Sequence, residues 1–226
     1  MHSISCEEKT MKHTAFFLLI VAAGIVSCSS PEGKKEATAK ADSVVTAAPA
    51  KETPPPPMDS ATIAKKEMES MTPGEMHKML ASSDGKWETD VTSIWEPGKP
   101  PEKSKGTVEN KMILGGRYQQ SVHKGMMMGM PFEGMSITGY DNAKKMFVST
   151  WVDNMGTGII KMEGPYDAAT KTIEMKGKCT DPISGRDFEM RETFKIIDDK
   201  SQYTEMFMTH EGGKEMKVME MKLAKK

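Results

Sequence analysis

The sequence HKGMMMGM, from His123 to Met130, places four methionines and one histidine within eight residues. Thioether sulfur and imidazole nitrogen are both ligands for soft metal ions such as Cu(I) and Ag(I). Adjacent side chains of a strand point to opposite faces, so these sulfurs converge on one ion only if the segment forms a turn. A copper or silver site made by Met126, Met128, Met130 and His123 is therefore one hypothesis.

The wider distribution of methionine favours a packing role instead. The chain has 23 methionines, and all of them except Met1 and Met11 lie after Pro57. In that part of the chain leucine occurs only at Leu80, Leu114 and Leu223. Because methionine is a flexible apolar side chain, it can fill a core in place of leucine, and at the surface it can scavenge oxidants. We therefore expect no metal site, with methionine as the main core residue.

The remaining reactive residue types form no catalytic set that we recognise. The sequence lacks a nucleophile elbow, histidines at ligand spacing, a phosphate-binding glycine loop and a Cys-x-x-Cys pair. Asp141 and Asp153 occur in YDN and VDN, where an aspartate commonly accepts hydrogen bonds from its own turn. The sequence leaves open whether the protein is an enzyme, although it favours a non-enzymatic role, and we expect no cofactor. The alternatives are an enzyme that uses Asp141, Asp153 or His123, and a haem protein with His123 or His210 as axial ligand.

Charge and cysteine content exclude two further classes. Lysine and arginine number 31 against 32 acidic residues, so the chain has no basic excess for binding nucleic acid. Of the three cysteines, Cys6 and Cys28 fall in the N-terminal segment, which leaves Cys179 without an intramolecular disulfide partner. We interpret Cys179 as a half-buried spectator.

The N-terminal segment predicts export and attachment to a membrane. Residues 1–27 contain a short apolar run that is typical of a signal peptide, and the run ends at Cys28. The sequence IVSC resembles a bacterial lipobox, which implies lipid attachment to the Cys28 thiol. Residues 28–60 are rich in Ala, Lys, Glu, Ser and Pro and predict a disordered tether. We expect a lipid-anchored protein of the bacterial cell envelope. By resemblance to sorted lipoproteins, Ser29 after Cys28 favours the outer membrane, where we expect the domain to face the periplasm.

Residues 61–226 form the predicted folded domain. The segment before Gly85 predicts two short helices, the second with Thr72 as N-cap and His77 on its solvated side. From Gly85 onward the apolar period is two, and about ten short strands follow with links too brief for crossover helices. The expected fold is therefore all-β: an antiparallel up-and-down barrel of about ten strands, preceded by a short helical segment.

A barrel of that size offers an interior for a small, partly apolar ligand. The candidate lining residues are Arg117, Tyr118, His123, Tyr140 and Trp151. The strand over residues 144–154 is apolar on both faces, so either Met146, Val148, Thr150 and Val152 or Phe147, Ser149 and Trp151 could point inward.

Two resemblances support the barrel. Gly85-x-Trp87 after a short helix resembles the signature of lipocalins and fatty-acid-binding proteins, which implies that Trp87 plugs the barrel floor beneath a basic residue, here Lys222 or Lys225. Residues from about 73 to 226 also resemble the bacterial family of domains of unknown function numbered 1579. The matching residues are Gly85, Trp87, Gly116, Arg117, Tyr118, Gly134, Gly139, Tyr140, Asp141, Asn142, Trp151 and Asp153. This resemblance implies a calycin-like barrel and no established reaction.

Overall fold

Two helices and eleven strands make up the part of the chain that the computed structural model describes, residues 57–95, 98–210 and 212–226. The helices are α1 (Ser60–Met71) and α2 (Glu75–Ser82). The strands are β1 (Gly85–Ser93), β2 (Glu102–Ile113), β3 (Tyr118–Met127), β4 (Met130–Asp141), β5 (Met146–Asp153), β6 (Ile160–Gly164), β7 (Tyr166–Asp167), β8 (Thr172–Thr180), β9 (Asp187–Asp198), β10 (Ser201–Thr209) and β11 (Met216–Lys225). The predicted signal peptide, Cys28 and nearly all of the predicted tether lie outside the described residues.

The strands form one closed antiparallel barrel. Their order in the sheet is β6-β5-β4-β3-β2-β1-β11-β10-β9-β8, and a further pairing between β6 and β8 joins the two ends. The two-residue strand β7 pairs only with β8 and lies outside this ring of ten. Neighbours along the chain are neighbours in the sheet because their links are short turns. The predicted up-and-down barrel of about ten strands is therefore confirmed.

Glycine permits the closure between β6 and β8. A Cβ atom added to Gly164 would overlap the backbone carbonyl of Glu174, and one added to Gly177 would overlap the carbonyl of Lys161. Each glycine thus lies where the opposing backbone approaches too closely for any side chain. The seam that converts an open sheet into a barrel depends on both.

The strands alternate between an inner and an outer face. On β5 the residues that face inward are Phe147, Ser149 and Trp151, because Phe147 is fully buried and pairs with inward-facing Tyr140. This result settles the choice that the sequence left open. The same alternation directs His123 on β3 and Glu192 on β9 into the barrel, since each shares the face of buried neighbours two residues away.

Trp87 closes one end of the barrel, which we call the floor. Its side chain is 0% exposed, and its indole Nε1 donates a hydrogen bond of 2.9 Å to the Ser83 carbonyl. The Lys225 ammonium lies 5.3 Å from the centre of the indole and donates to the Ser82 carbonyl at 3.3 Å. Lys225, and not Lys222, therefore provides the basic contact that the Gly-x-Trp resemblance implies.

Helix α2 begins two residues later than predicted. Thr72 follows the last residue of α1, where its hydroxyl donates to the Met68 carbonyl at 2.7 Å, and Gly74 is the N-cap of α2. The Gly74 N–H donates to His77 Nδ1 at 3.0 Å. Burial lowers the pKa of His77, which is only 6% exposed and packs edge-on against Tyr140.

The predicted solvated position of His77 is therefore wrong. An eight-residue helical pattern carries no information about the sheet on which the helix rests, and here that sheet covers the more polar side of the helix. Neither helix in the described ranges is long and apolar enough to cross a bilayer.

Methionine does fill the core as predicted. Met162, Met175 and Met190 are among the buried residues of the larger apolar cluster, together with Leu80 of α2 and Phe147. Met221 belongs to a second cluster around Trp87. The floor is therefore packed around Trp87, and the larger cluster extends along β5, β6, β8 and β9 towards the opposite end of the barrel, which we call the mouth.

Candidate ligand-binding interior

An aromatic wall lines one side of the interior, built from neighbouring strands β3, β4 and β5. The His123 and Trp151 rings lie 5.0 Å apart at an interplanar angle of 78°. Phe132 stacks beside the indole, with 6.3 Å between the ring centres and an angle of 18°. Gly134, the partner of His123 across the ladder, makes room for this group, because a Cβ there would overlap the Trp151 ring.

The imidazole of His123 is a neutral group at physiological pH. Burial lowers its pKa to about 4. A neutral imidazole presents one N–H donor and one nitrogen acceptor, and its ring packs as an aromatic surface. His123 thus adds an adaptable polar atom to an otherwise apolar wall.

Asp153 fixes the orientation of the indole. The Trp151 Nε1 donates to Asp153 Oδ2 at 2.7 Å, and the Met155 N–H donates to Asp153 Oδ1 at 2.9 Å. The Asp153 carboxylate therefore stabilises both its own turn and the aromatic wall.

Burial is the main cause that raises the pKa of the Cys179 thiol, and the negative charge of Asp153 adds to it. This cysteine is therefore held as an unreactive thiol.

The opposite wall carries a carboxyl group, Glu192. Strands β3 and β9 are five strands apart in either direction around the ring of ten, so Glu192 and His123 belong to diametrically opposite walls. Glu192 pairs with Met175 on β8 and Met206 on β10, which are both core residues. Burial raises the pKa of Glu192 to about 7. As a whole residue Glu192 is partly buried, and its side chain faces the barrel interior.

Small hydroxyl side chains line the space between these two walls. They come from six strands: Thr89, Ser93, Ser104, Ser121, Ser136, Thr138, Ser149 and Thr204. Thr138 and Ser149 hydrogen bond to each other at 2.8 Å. Short side chains at these positions keep this wall of the barrel free of large groups, whereas Met162, Met175 and Met190 fill the side opposite to it.

Inward-facing charge in the described strands is mostly acidic. Glu102 and Asp153 lie at the mouth and Glu192 lies midway along its strand, whereas the inward-facing lysine, Lys225, contacts the floor. Glu102 accepts hydrogen bonds from the Trp95 indole at 2.9 Å and the Met128 N–H at 3.2 Å.

The floor also contains a cluster of hydrogen-bonded polar groups around Ser83. Its carbonyl accepts from Asn110 Nδ2 at 3.1 Å as well as from the Trp87 indole, and its hydroxyl accepts from Gln202 Nε2 at 2.9 Å. The amide oxygens of Asn110 and Gln202 are buried without a partner among the described residues. A buried water commonly satisfies such atoms.

Two predicted lining residues lie outside the interior. Arg117 is exposed in the β2–β3 turn, where Nη2 donates to the Met71 carbonyl at 3.0 Å. Tyr118 is 41% exposed and packs outside the barrel over Gly139. Tyr140 does face inward, but it packs on His77 and Phe147 near the floor. Of the five predicted lining residues, His123 and Trp151 are brought together.

Other residues of the family pattern hold helix α1 to the barrel. Asn142 Nδ2 donates to the carbonyls of Glu69 at 2.9 Å and Thr72 at 2.8 Å, beside the Arg117 contact to Met71. Asp141 accepts from the Ala143 and Lys144 N–H groups, as expected for an aspartate turn. These residues therefore lie at the floor end of the barrel.

The methionine segment forms the tip of the β3–β4 hairpin. Met128 and Gly129 occupy the turn with φ of 51° and 74°, and Met126, Met128 and Met130 are each about half exposed. His123 faces the interior, whereas Met126 lies on the outer face of β3. The structure therefore does not bring the four proposed soft-metal ligands together. His123 meets the condition of facing inward that the haem hypothesis set, and His210 lies exposed at the rim beside Phe188.

Sequence reasoning missed Glu192, although a signal for it exists. Phe188, Met190, Glu192 and Phe194 alternate along β9, so the period of two places this glutamate on an otherwise apolar face. An acid in that register is costly to bury and is therefore a candidate functional group.

Two shallow depressions, of about 760 and 500 Å³, lie beside the β8–β9 and β9–β10 strands, and both are lined largely by charged residues such as Glu189.

Comparisons with known proteins agree with this fold. Residues 72–225 match the model of the family described as protein of unknown function (DUF1579). No curated protein matches the chain. The crystal structure of Rv2717c from M. tuberculosis is similar, with 12% sequence identity, a TM-score of 0.54, and coverage of 69% of this chain and 99% of that one. At that identity the likeness concerns the fold alone.

Proposed function

The chain belongs to the DUF1579 family, and we propose that it binds a small, partly apolar ligand inside its barrel. The observation that carries this proposal is the aromatic wall of His123, Trp151 and Phe132, which faces the barrel interior with a carboxyl group on the opposite side. Ligand sites typically combine apolar and aromatic lining with a few polar groups that fix orientation.

The packing of the two ends supports binding in the middle. Large side chains such as Trp87 and Phe147 are fully buried at the floor, whereas the wall formed by β3, β4 and β5 carries the short hydroxyl side chains of Ser121, Ser136 and Ser149. A protein that needed only stability would gain from longer apolar side chains at these positions, because each buried methylene contributes about 0.8 kcal/mol. The short side chains therefore favour a ligand as the group that packs against this wall.

N-Phenyl-1-naphthylamine, a neutral flat probe whose fluorescence rises in apolar surroundings, tests the proposal. We expect saturable binding to the purified protein at a stoichiometry near one. Ser136→Phe places a ring in the interior between β3 and β5 and should abolish binding. Ile137→Phe adds a ring at the next residue on the outer face, where Ile137 is 37% exposed, and should leave binding unchanged.

Two results would contradict the proposal. One is the absence of saturable binding by a folded protein. The other is equal binding by the Ser136→Phe and Ile137→Phe variants, which would place the probe on the outer surface. Circular dichroism of both variants provides the control for folding.

The sequence further supports a lipid anchor on Cys28 and a place in the bacterial cell envelope. The lipobox-like IVSC and the polar segment 28–60 carry this part of the proposal, and Ser29 after Cys28 favours the outer membrane by resemblance to sorted lipoproteins. Metabolic labelling with radioactive palmitate in a Gram-negative host should label the full chain and the Cys28→Ser control should remain unlabelled. The Cys179→Ser variant should be labelled like the parent. Labelling that survives loss of Cys28 would contradict the anchor.

A further inference from the structure

We propose that Glu192 makes the barrel selective for ligands that carry an ammonium group, an inference that rests on the ligand-binding role proposed above. The ligand would place its ammonium against this carboxyl group and its flat apolar body against the aromatic wall of His123, Trp151 and Phe132. The chemical class is therefore an amphiphilic aromatic amine, with one end cationic and the other apolar.

The first step is the absence of a protein partner for the carboxyl group. Glu192 lies between Met175 and Met206 across the ladder and between Met190 and Phe194 on its own face. None of these side chains donates a hydrogen bond. Within the described ranges, no hydrogen bond, ion pair or other charge interaction reaches the Glu192 carboxyl group. A buried acid is normally paired, so an external donor fits this position.

The second step is the charge of the space that the carboxyl group faces. Glu102 and Asp153 add negative charge at the mouth, and burial keeps His123 neutral on the opposite wall. Lys225 is engaged at the floor by the Ser82 carbonyl and the Trp87 ring. An anionic ligand would therefore meet repulsion, whereas a cation would be attracted along its whole path from the mouth to Glu192.

The third step is what an ammonium group would gain there. It supplies three N–H donors to a carboxyl group that has none, and charge-assisted hydrogen bonds in a water-poor site are about twice as strong as neutral ones. Binding of the cation would also favour the ionised carboxylate, since burial alone raises the pKa of Glu192 to about 7. The Glu192 carboxyl group would thus both recognise the ligand ammonium and have its own negative charge compensated by it.

Three matched probes test the inference: 4-phenylbutylammonium, 4-phenylbutanol and 5-phenylpentanoate, which share one apolar body and differ in charge. Isothermal titration calorimetry at pH 7.5 should give an ammonium affinity at least about tenfold above that of the alcohol, with the carboxylate weakest. Glu192→Gln should remove this preference, so that the affinities of the variant for the ammonium and for the alcohol differ by less than about twofold. Glu189→Gln removes the same charge from the outer face of the same strand and should retain the preference.

The outcomes separate this inference from the function on which it rests. If the alcohol and the ammonium bind equally well to the parent protein, the role of Glu192 is overturned and the binding role stands. If the preference persists in Glu192→Gln, the cation is recognised elsewhere and the inference is again overturned. If none of the probes binds and N-phenyl-1-naphthylamine also fails to bind, both proposals are overturned.

Discussion

Gly164 on β6 lies directly against the backbone carbonyl of Glu174 on β8, with no room between them for a methyl group. This contact joins the first and last strands of the ring, so the closure of the barrel depends on a position where a side chain is excluded. The barrel encloses an interior only because the sheet closes at this contact.

Gly164→Ala should therefore open or strain the seam. We expect a loss of unfolding free energy of about 3 kcal/mol, because the obstructing atom belongs to a backbone and cannot move aside like a side chain. Urea unfolding followed by circular dichroism measures the loss. The matched control is Gly158→Ala, since a Cβ at Gly158 meets no atom within 4 Å. Equal stability of the two variants would contradict the account of the seam.

The contact of Lys225 with Trp87 predicts that replacing Lys225 by methionine and by arginine will have different effects on stability. Lys225→Met keeps most of the side-chain length but removes the cation above the indole and the hydrogen bond to Ser82, and should cost about 1 kcal/mol. Lys225→Arg should retain or exceed the parent stability because a guanidinium stacks well on an aromatic face. Thermal unfolding of the three proteins decides. An arginine variant as unstable as the methionine variant would argue against the cation contact.

Glu192 predicts a pH-dependent cost to folding. Burial raises its pKa from 4.5 to about 7, so the folded protein retains this proton where the unfolded chain has lost it. Below about pH 4.5 the group is protonated in both states and costs nothing in charge burial. As pH rises from about 4.5 to 7 stability is lost, and above 7 the loss is complete, on the order of 2 to 3 kcal/mol.

Glu192→Gln should remove that loss. The unfolding free energy of the variant minus that of the parent should increase by roughly 2 to 3 kcal/mol between pH 4.5 and 8, measured by urea unfolding. His123 has the opposite dependence, because its pKa is lowered to about 4, but it is present in both proteins and cancels in the difference. Parallel pH profiles for parent and variant would show that the carboxyl group is not buried.

Substitution of Gly134 should disturb the aromatic wall and leave the rest of the barrel in place. In Gly134→Ala the new methyl group would overlap the Trp151 ring, so the indole must rotate away from Asp153 and His123. We expect a shift of the tryptophan emission and at least about tenfold weaker binding of N-phenyl-1-naphthylamine, with roughly 1 to 3 kcal/mol lower stability. The double variant Gly134→Ala with Trp151→Phe should recover part of the stability. Unchanged emission and binding in the single variant would contradict the proposed wall.

The sequence predicted the barrel because period-two patterning and short turns act locally and repeat over many segments. It predicted Trp87 at the floor from one motif and its context. It did not predict the inner face of β5, since both faces carry apolar residues, and the choice depends on pairing with Tyr140 of β4.

Long-range contacts explain the other differences. Arg117 and Asn142 appear as polar residues of turns, and only the fold shows that they bind the carbonyls at the end of α1. His77 is buried because α2 rests on the sheet, which the helix sequence does not encode. The period-two pattern of β9 could have identified Glu192 as an inward-facing residue. It was missed because core positions are recognised by their apolar residues, and a buried acid without a partner does not follow that rule.

The most direct test of the central claim is to map a bound probe by NMR on the isotope-labelled protein. With N-phenyl-1-naphthylamine we predict that the largest chemical-shift changes fall on the Trp151 indole N–H and on the amides of Ser121 and Ser136, inside the barrel. Changes confined to Lys178 and Glu189, which line the outer depressions, would contradict an interior binding site.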